Sequence, residues 1–64
     1  MSVFKCEAVC IAETPQALMV EIDGDEYWIP KSQIHDDSEV YNNDDGSEGE
    51  LVITGWLAKE KGLL

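Results

Sequence analysis

The sequence predicts a mostly β domain: a small, strongly bent antiparallel sheet or barrel with one 3-10 turn and a short C-terminal helix. Three observations carry this. Apolar and polar residues alternate with period two near the start of the chain. The dipeptide Asp23-Gly24 sits between two apolar runs, as a tight hairpin requires. The remaining runs are short and are bounded by Pro, Gly, Asn and Asp, which break strands and helices alike. A chain of 64 residues has room for one core and one domain. At that size roughly 60% of the unfolded chain's surface is buried on folding.

The elements follow in order. Phe4, Cys6, Ala8, Cys10 and Ala12 alternate with Lys5, Glu7 and Glu13, which places the first set on the inner face of a half-buried strand. Thr14-Pro15-Gln16 ends it, since proline donates no ladder hydrogen bond. Leu18, Val20 and Ile22 form the inner face of a second strand, and after the Asp23-Gly24 turn Glu26, Tyr27, Trp28 and Ile29 return. Pro30 ends that strand and opens a single 3-10-like turn over Lys31, Ser32 and Gln33, after which Ile34 points inward. Residues 35–38 read as a polar connection, Glu39, Val40 and Tyr41 as a short strand, and 42–49 as a loop. Leu51, Val52 and Ile53 make the fifth and last strand. Thr54 is placed to cap a short helix and Gly62 to end it, with Trp56, Leu57 and Leu63 as its apolar contacts and Trp56 as a core anchor.

Trp28-Ile29-Pro30, three residues, then Ile34 resembles the strand, 3-10 turn and strand near the end of SH3 domains, which implies a five-stranded SH3-like barrel. No aromatic cluster like that opening an SH3 ligand groove is present, so proline-peptide binding is not implied. Over residues 17–63, the series Ile22-Asp23-Gly24, Trp28 through Ile34, Asp37-Ser38-Glu39-Val40, Gly49 through Ile53 and Trp56 through Leu63 resembles small uncharacterised acidic proteins encoded by bacteriophages and prophages. That resemblance implies an accessory phage or bacterial protein and brings with it no activity or site.

The formal net charge is −10, and it is concentrated. Glu21, Asp23, Asp25, Glu26, Asp36, Asp37, Glu39, Asp44, Asp45, Glu48 and Glu50 face Lys31 alone within residues 21–50, while the flanking segments are neutral. Four lysines and no arginine disfavour direct binding to nucleic acid or to an anionic membrane. The sequence shows neither a targeting leader nor an apolar run of the ~18 residues a membrane span needs. Cys6 and Cys10, four residues apart, lie roughly 13 Å apart in a strand, too far for a disulfide. An unstapled domain of this size reads as cytoplasmic.

Chemistry is scarce. His35, beside Asp36 and Asp37, is the one histidine, and both cysteines fall on the predicted inner face, so neither a nucleophile–base pair nor a closed zinc set is expected. The loop over 42–48 is rich in oxygen ligands, yet with Gly46 at the sixth position of an EF-hand register the first is Tyr41 and the twelfth Val52, which fails. No cofactor, metal or catalytic residue is predicted.

The expected function is therefore a non-enzymatic protein-interaction or accessory module whose protein partner presents a basic surface, and a link to phage DNA metabolism is what the resemblance alone implies. Tyr27 and Trp28, one of which must face away from the core, and Asp36, Asp37, Asp44 and Asp45 are the candidate partner-binding residues. The alternative is an acidic nucleic-acid mimic that inhibits a DNA- or RNA-binding protein, and behind it a metal-binding protein or enzyme. The open edges of a small sheet also allow a homodimer.

Overall fold

The computed structural model describes residues 2–64. Strands β1 (Val3–Glu13), β2 (Ala17–Ile22) and β3 (Asp25–Pro30) lead through the 3-10 turn Lys31–Gln33 to β4 (Glu48–Thr54) and helix α1 (Gly55–Glu60). The four strands form one antiparallel sheet in the order β3-β2-β1-β4.

The inner face follows the period-two pattern. Ala8, Cys10, Leu18, Val20, Ile22, Ile29, Leu51 and Ile53 are buried together with Val40 from the loop and Leu57 and Ala58 from α1. Phe4, Cys6, Tyr27, Ile34 and Leu63 pack against them, half-buried. The β2–β3 hairpin closes on two residues, Asp23 (φ 52°) and Gly24 (φ 86°), the paired positive angles that match the twist of the flanking strands. β1 is long enough to serve two partners: Val3 to Val9 pair with β4, and Val9 to Glu13 with β2, with a bulge between Cys10 and Ala12 that bends the strand.

Two expectations are corrected. There is no fifth strand at Glu39, Val40 and Tyr41, and the sheet is not closed into a barrel. The expected strand, 3-10 turn and bridging aliphatic are present, since Ile34 forms an isolated bridge with Ile53. Beyond Ile34, however, the segment along the outer edge of β4 satisfies that edge partly with side chains. His35 N–H donates to the Val52 carbonyl (2.8 Å) and Glu39 N–H to the Glu50 carbonyl (2.8 Å). In return Val52 N–H donates to Ser38 Oγ (3.0 Å) and Glu50 N–H to Glu39 Oε1 (2.7 Å). A serine hydroxyl and a carboxylate thus stand where strand carbonyls would, and the ladder does not propagate.

Trp56 is a further correction: it is 65% exposed rather than a core anchor. Thr54 Oγ1 accepts Leu57 N–H (3.2 Å) and sets the start of α1. Leu57 and Ala58 then face the core, and successive residues turn about 100° around a helix, which carries Trp56 to the solvent side. The helix ends where predicted. Gly62 N–H reaches the Lys59 carbonyl and Leu63 N–H the Ala58 carbonyl, the two bonds of a Schellman cap. No helix among the described residues is long and apolar enough to cross a membrane.

Candidate functional site

The two-residue turn dictates the register of β3, and the register dictates which groups it presents. Ile22 opposite Asp25 is the hydrogen-bonded pair next to the turn, so Val20–Tyr27 and Leu18–Ile29 are hydrogen-bonded pairs too. Lys31 N–H continues the series by donating to the Gln16 carbonyl (2.8 Å). Between them, Glu26 and Trp28 turn their backbone N–H and C=O groups away from β2. Among the described residues nothing pairs with those groups, because β3 is the edge of the sheet.

Side chains alternate in the same way. Tyr27 is half-buried against the core, whereas Trp28 is 42% exposed on the outer face. Trp28 lies opposite the half-buried Met19 in a non-hydrogen-bonded pair, where side chains approach most closely. The bulged residue Ile11, near the Met19 register position, is also exposed. An apolar row headed by an indole therefore reaches the open edge.

Carboxylates flank this row. On the outer face Glu21 lies directly opposite Glu26, and Glu7 opposite Glu50. Val9 lies between Glu21 on one side and Glu48 on the other. Together Glu7, Glu21, Asp23 and Glu48 line an open hollow beside the hairpin tip. Like charges directly opposite on a sheet are destabilising, by an amount on the order of 0.2–1 kcal/mol per pair.

The four predicted aspartates lie at the other end of β3. Asp36 and Lys31 line a second shallow hollow with Ile34, His35, Ser38 and Tyr41. Lys31 Nζ donates to Glu13 Oε2 (2.6 Å), and Glu13 Oε1 accepts Asn43 N–H (3.0 Å), which places the turn bearing Asp44 and Asp45 by the Pro30 end of β3. That turn is tied inwardly, with Asn42 Oδ1 accepting from Asp44 N–H (2.9 Å) and Gly46 N–H (2.8 Å). Asp36, Asp37, Asp44 and Asp45 are all exposed. Lys31 and the Asn43 N–H hold the Glu13 carboxyl below its ordinary range.

His35 and the two cysteines lie apart from the β3 edge. His35 Nδ1 accepts Asp37 N–H (3.0 Å), and the Asp37 carboxylate is 3.6 Å from it. Burial pushes both thiols up, helped at Cys6 by Asp23, Glu7 and Glu50, the direction opposite to that of an activated thiolate. Among the described residues no three His, Cys, Asp or Glu side chains converge as a metal site.

Reading the residues alone did not single out Met19, Glu21 or Glu26. The signal was present: counting outward from Asp23-Gly24 pairs 22 with 25, 21 with 26 and 19 with 28. The fold and the site together define a small open-sheet β domain whose terminal strand β3 has an unpaired outer edge. Comparison with protein-family models, with curated proteins and with solved structures finds no match to this chain.

Proposed function

We propose that this protein is a non-catalytic interaction module of the cytoplasm that docks a protein partner bearing a basic surface. One observation carries the reading: Trp28, a residue type that contributes large contact area at interfaces, is exposed beside an unpaired strand edge with carboxylates at both ends. The carboxylates would steer the partner and set its orientation, while the indole supplies the anchor. The resemblance to phage- and prophage-encoded proteins supports an accessory role near phage DNA metabolism.

The test is affinity capture from the native host with wild type, Trp28→Ala and a variant carrying Asn at Asp36, Asp37, Asp44 and Asp45, each shown to be folded by circular dichroism. Loss of the captured protein with Trp28→Ala is the expected result. Undiminished capture by that variant would refute the reading.

The like-charge pairs Glu21–Glu26 and Glu7–Glu50 favour a second reading, the acidic mimic of a nucleic acid. The longest extent of the molecule is 28 Å, the length of duplex that carries about sixteen phosphates at ~1.7 Å per charge. A mimic predicts capture that falls steeply with added salt and tolerates Trp28→Ala. An aromatic anchor predicts the reverse.

A further inference from the structure

We infer that the open edge of β3 receives an extended, lysine-bearing segment of the partner as an added antiparallel strand. This deepens the interaction-module reading and rests on it.

The two ends of the sheet order are treated differently. Along β4, four hydrogen bonds from His35, Ser38 and Glu39 occupy the outward groups of Val52 and Glu50. Along β3, the outward groups of Glu26 and Trp28 are unpaired, and the usual devices that discourage pairing are sparse. The β2–β3 register is regular from Ala17 to Ile22 with no bulge, no lysine lies within β3, and the one proline is its last residue.

The charge that is present selects among occupants. Glu26 projects onto the outer face beside Trp28, with Glu21 opposite it and Asp23 and Asp25 at the turn. A second copy would bring the same carboxylates against themselves, in a chain of net charge −10. A strand with lysines on its outer face would place ammonium groups beside Glu26 and over the Trp28 ring, an ion pair and a cation–π contact from one side chain pattern. Its alternate, apolar side chains would fall on the face of Tyr27.

The first half of β1 also runs unpaired beyond the end of β2, at Lys5 and Glu7. It carries a lysine of its own, and among its outward side chains there is no aromatic anchor. The complementarity to a basic strand is therefore weaker there.

The probe is a blocked heptapeptide alternating lysine and valine, added to the isotope-labelled full chain while amide exchange is followed by NMR. At ten times the peptide Kd, the Glu26 and Trp28 amides should exchange about tenfold more slowly. A peptide with glutamate for lysine, and one with proline in place of its central valine, should give no such protection. The proposal is overturned by no protection at millimolar peptide, by protection by the glutamate peptide, by protection at Lys5 and Glu7 instead, or by protection that grows with protein concentration alone, which would make the occupant a second copy. If the proline peptide binds as tightly as the parent and still shifts the Trp28 indole resonance, strand addition is refuted and the module reading stands. If Trp28→Ala leaves partner capture intact, the module reading falls, whatever the peptide does at the edge.

Discussion

Replacing Ser38 by alanine should unfold this protein far more readily than its place in a connecting loop would imply. Ser38 is 8% exposed, and its hydroxyl is a hub: it accepts Val52 N–H (3.0 Å) and Val40 N–H (3.3 Å) and donates to the Val40 carbonyl (2.8 Å). Val40 and Val52 are themselves buried, so the alanine variant strands two N–H donors out of reach of solvent. A buried donor left without a partner costs about 1–3 kcal/mol, and two of them about 2–4 kcal/mol after partial relaxation. A chain of this length has roughly 3–10 kcal/mol of stability in all. The substitution should therefore remove about a fifth of it or more and lower Tm by about 10–25 °C. Urea denaturation followed by far-UV circular dichroism measures the change, with Ser32→Ala, an exposed serine in the 3-10 turn, as control. The m-value should stay constant, and the Val52 amide should exchange faster in the variant. A midpoint shift for Ser38→Ala no larger than that for Ser32→Ala would show that water replaces the hydroxyl and that the segment over 35–41 does not seal β4.

Glu13 links Lys31 to Asn43, and its lowered pKa means that its contribution is complete above the unfolded value of about 4.3 and is lost as pH falls through the folded one. The stability gap between wild type and Glu13→Gln should thus be present at neutral pH and close below about pH 4, which a pH series of urea midpoints checks. Gly49 holds φ at 135°, and an added Cβ would lie 2.7 Å from Glu39 Oε1. Gly49→Ala should cost about 1–3 kcal/mol, and less in a Glu39→Ala background, a coupling read from a double-mutant cycle. Both thiols should react slowly with iodoacetamide in the folded protein at neutral pH, Cys10 more slowly than Cys6, and both rapidly in denaturant. Equal rates in the two states would show that the core face of β1 is open.

The β2–β3 hairpin was legible because turn chemistry and alternation agree there: Asp23-Gly24 demands positive φ twice, and Leu18, Val20 and Ile22 leave one choice of inner face. The same holds for β1, where the even positions are the inward ones. The segment at Glu39, Val40 and Tyr41 misleads because β propensity is a property of side chains, whereas what decides it here is that the Ser38 and Glu39 side chains occupy the donors of β4 first. Trp56 misleads for a related reason. Its size marks it as an anchor, but rotation about a short helix capped at Thr54 gives the inward positions to Leu57 and Ala58. At the candidate site, the sequence left open which of Tyr27 and Trp28 faces solvent, and that follows from register alone. The acidic excess over residues 21–50 was plain from composition, yet its division between the hairpin end and the Lys31 end of β3 depends on the Lys31–Glu13–Asn43 links, which span distant parts of the chain.

The sealing of β4 by its own connecting segment has a further consequence for stoichiometry. A sheet with receptive edges at both ends can add units indefinitely, which is how strand-paired assemblies elongate into fibres. Here one terminus of the sheet order is already occupied from within, so a strand gained at β3 leaves no successor site at β4. Recruitment along this axis stops at one strand per chain. A strand added at β3 would therefore terminate such a stack rather than extend it, and titration should saturate the β3 edge at one strand per chain.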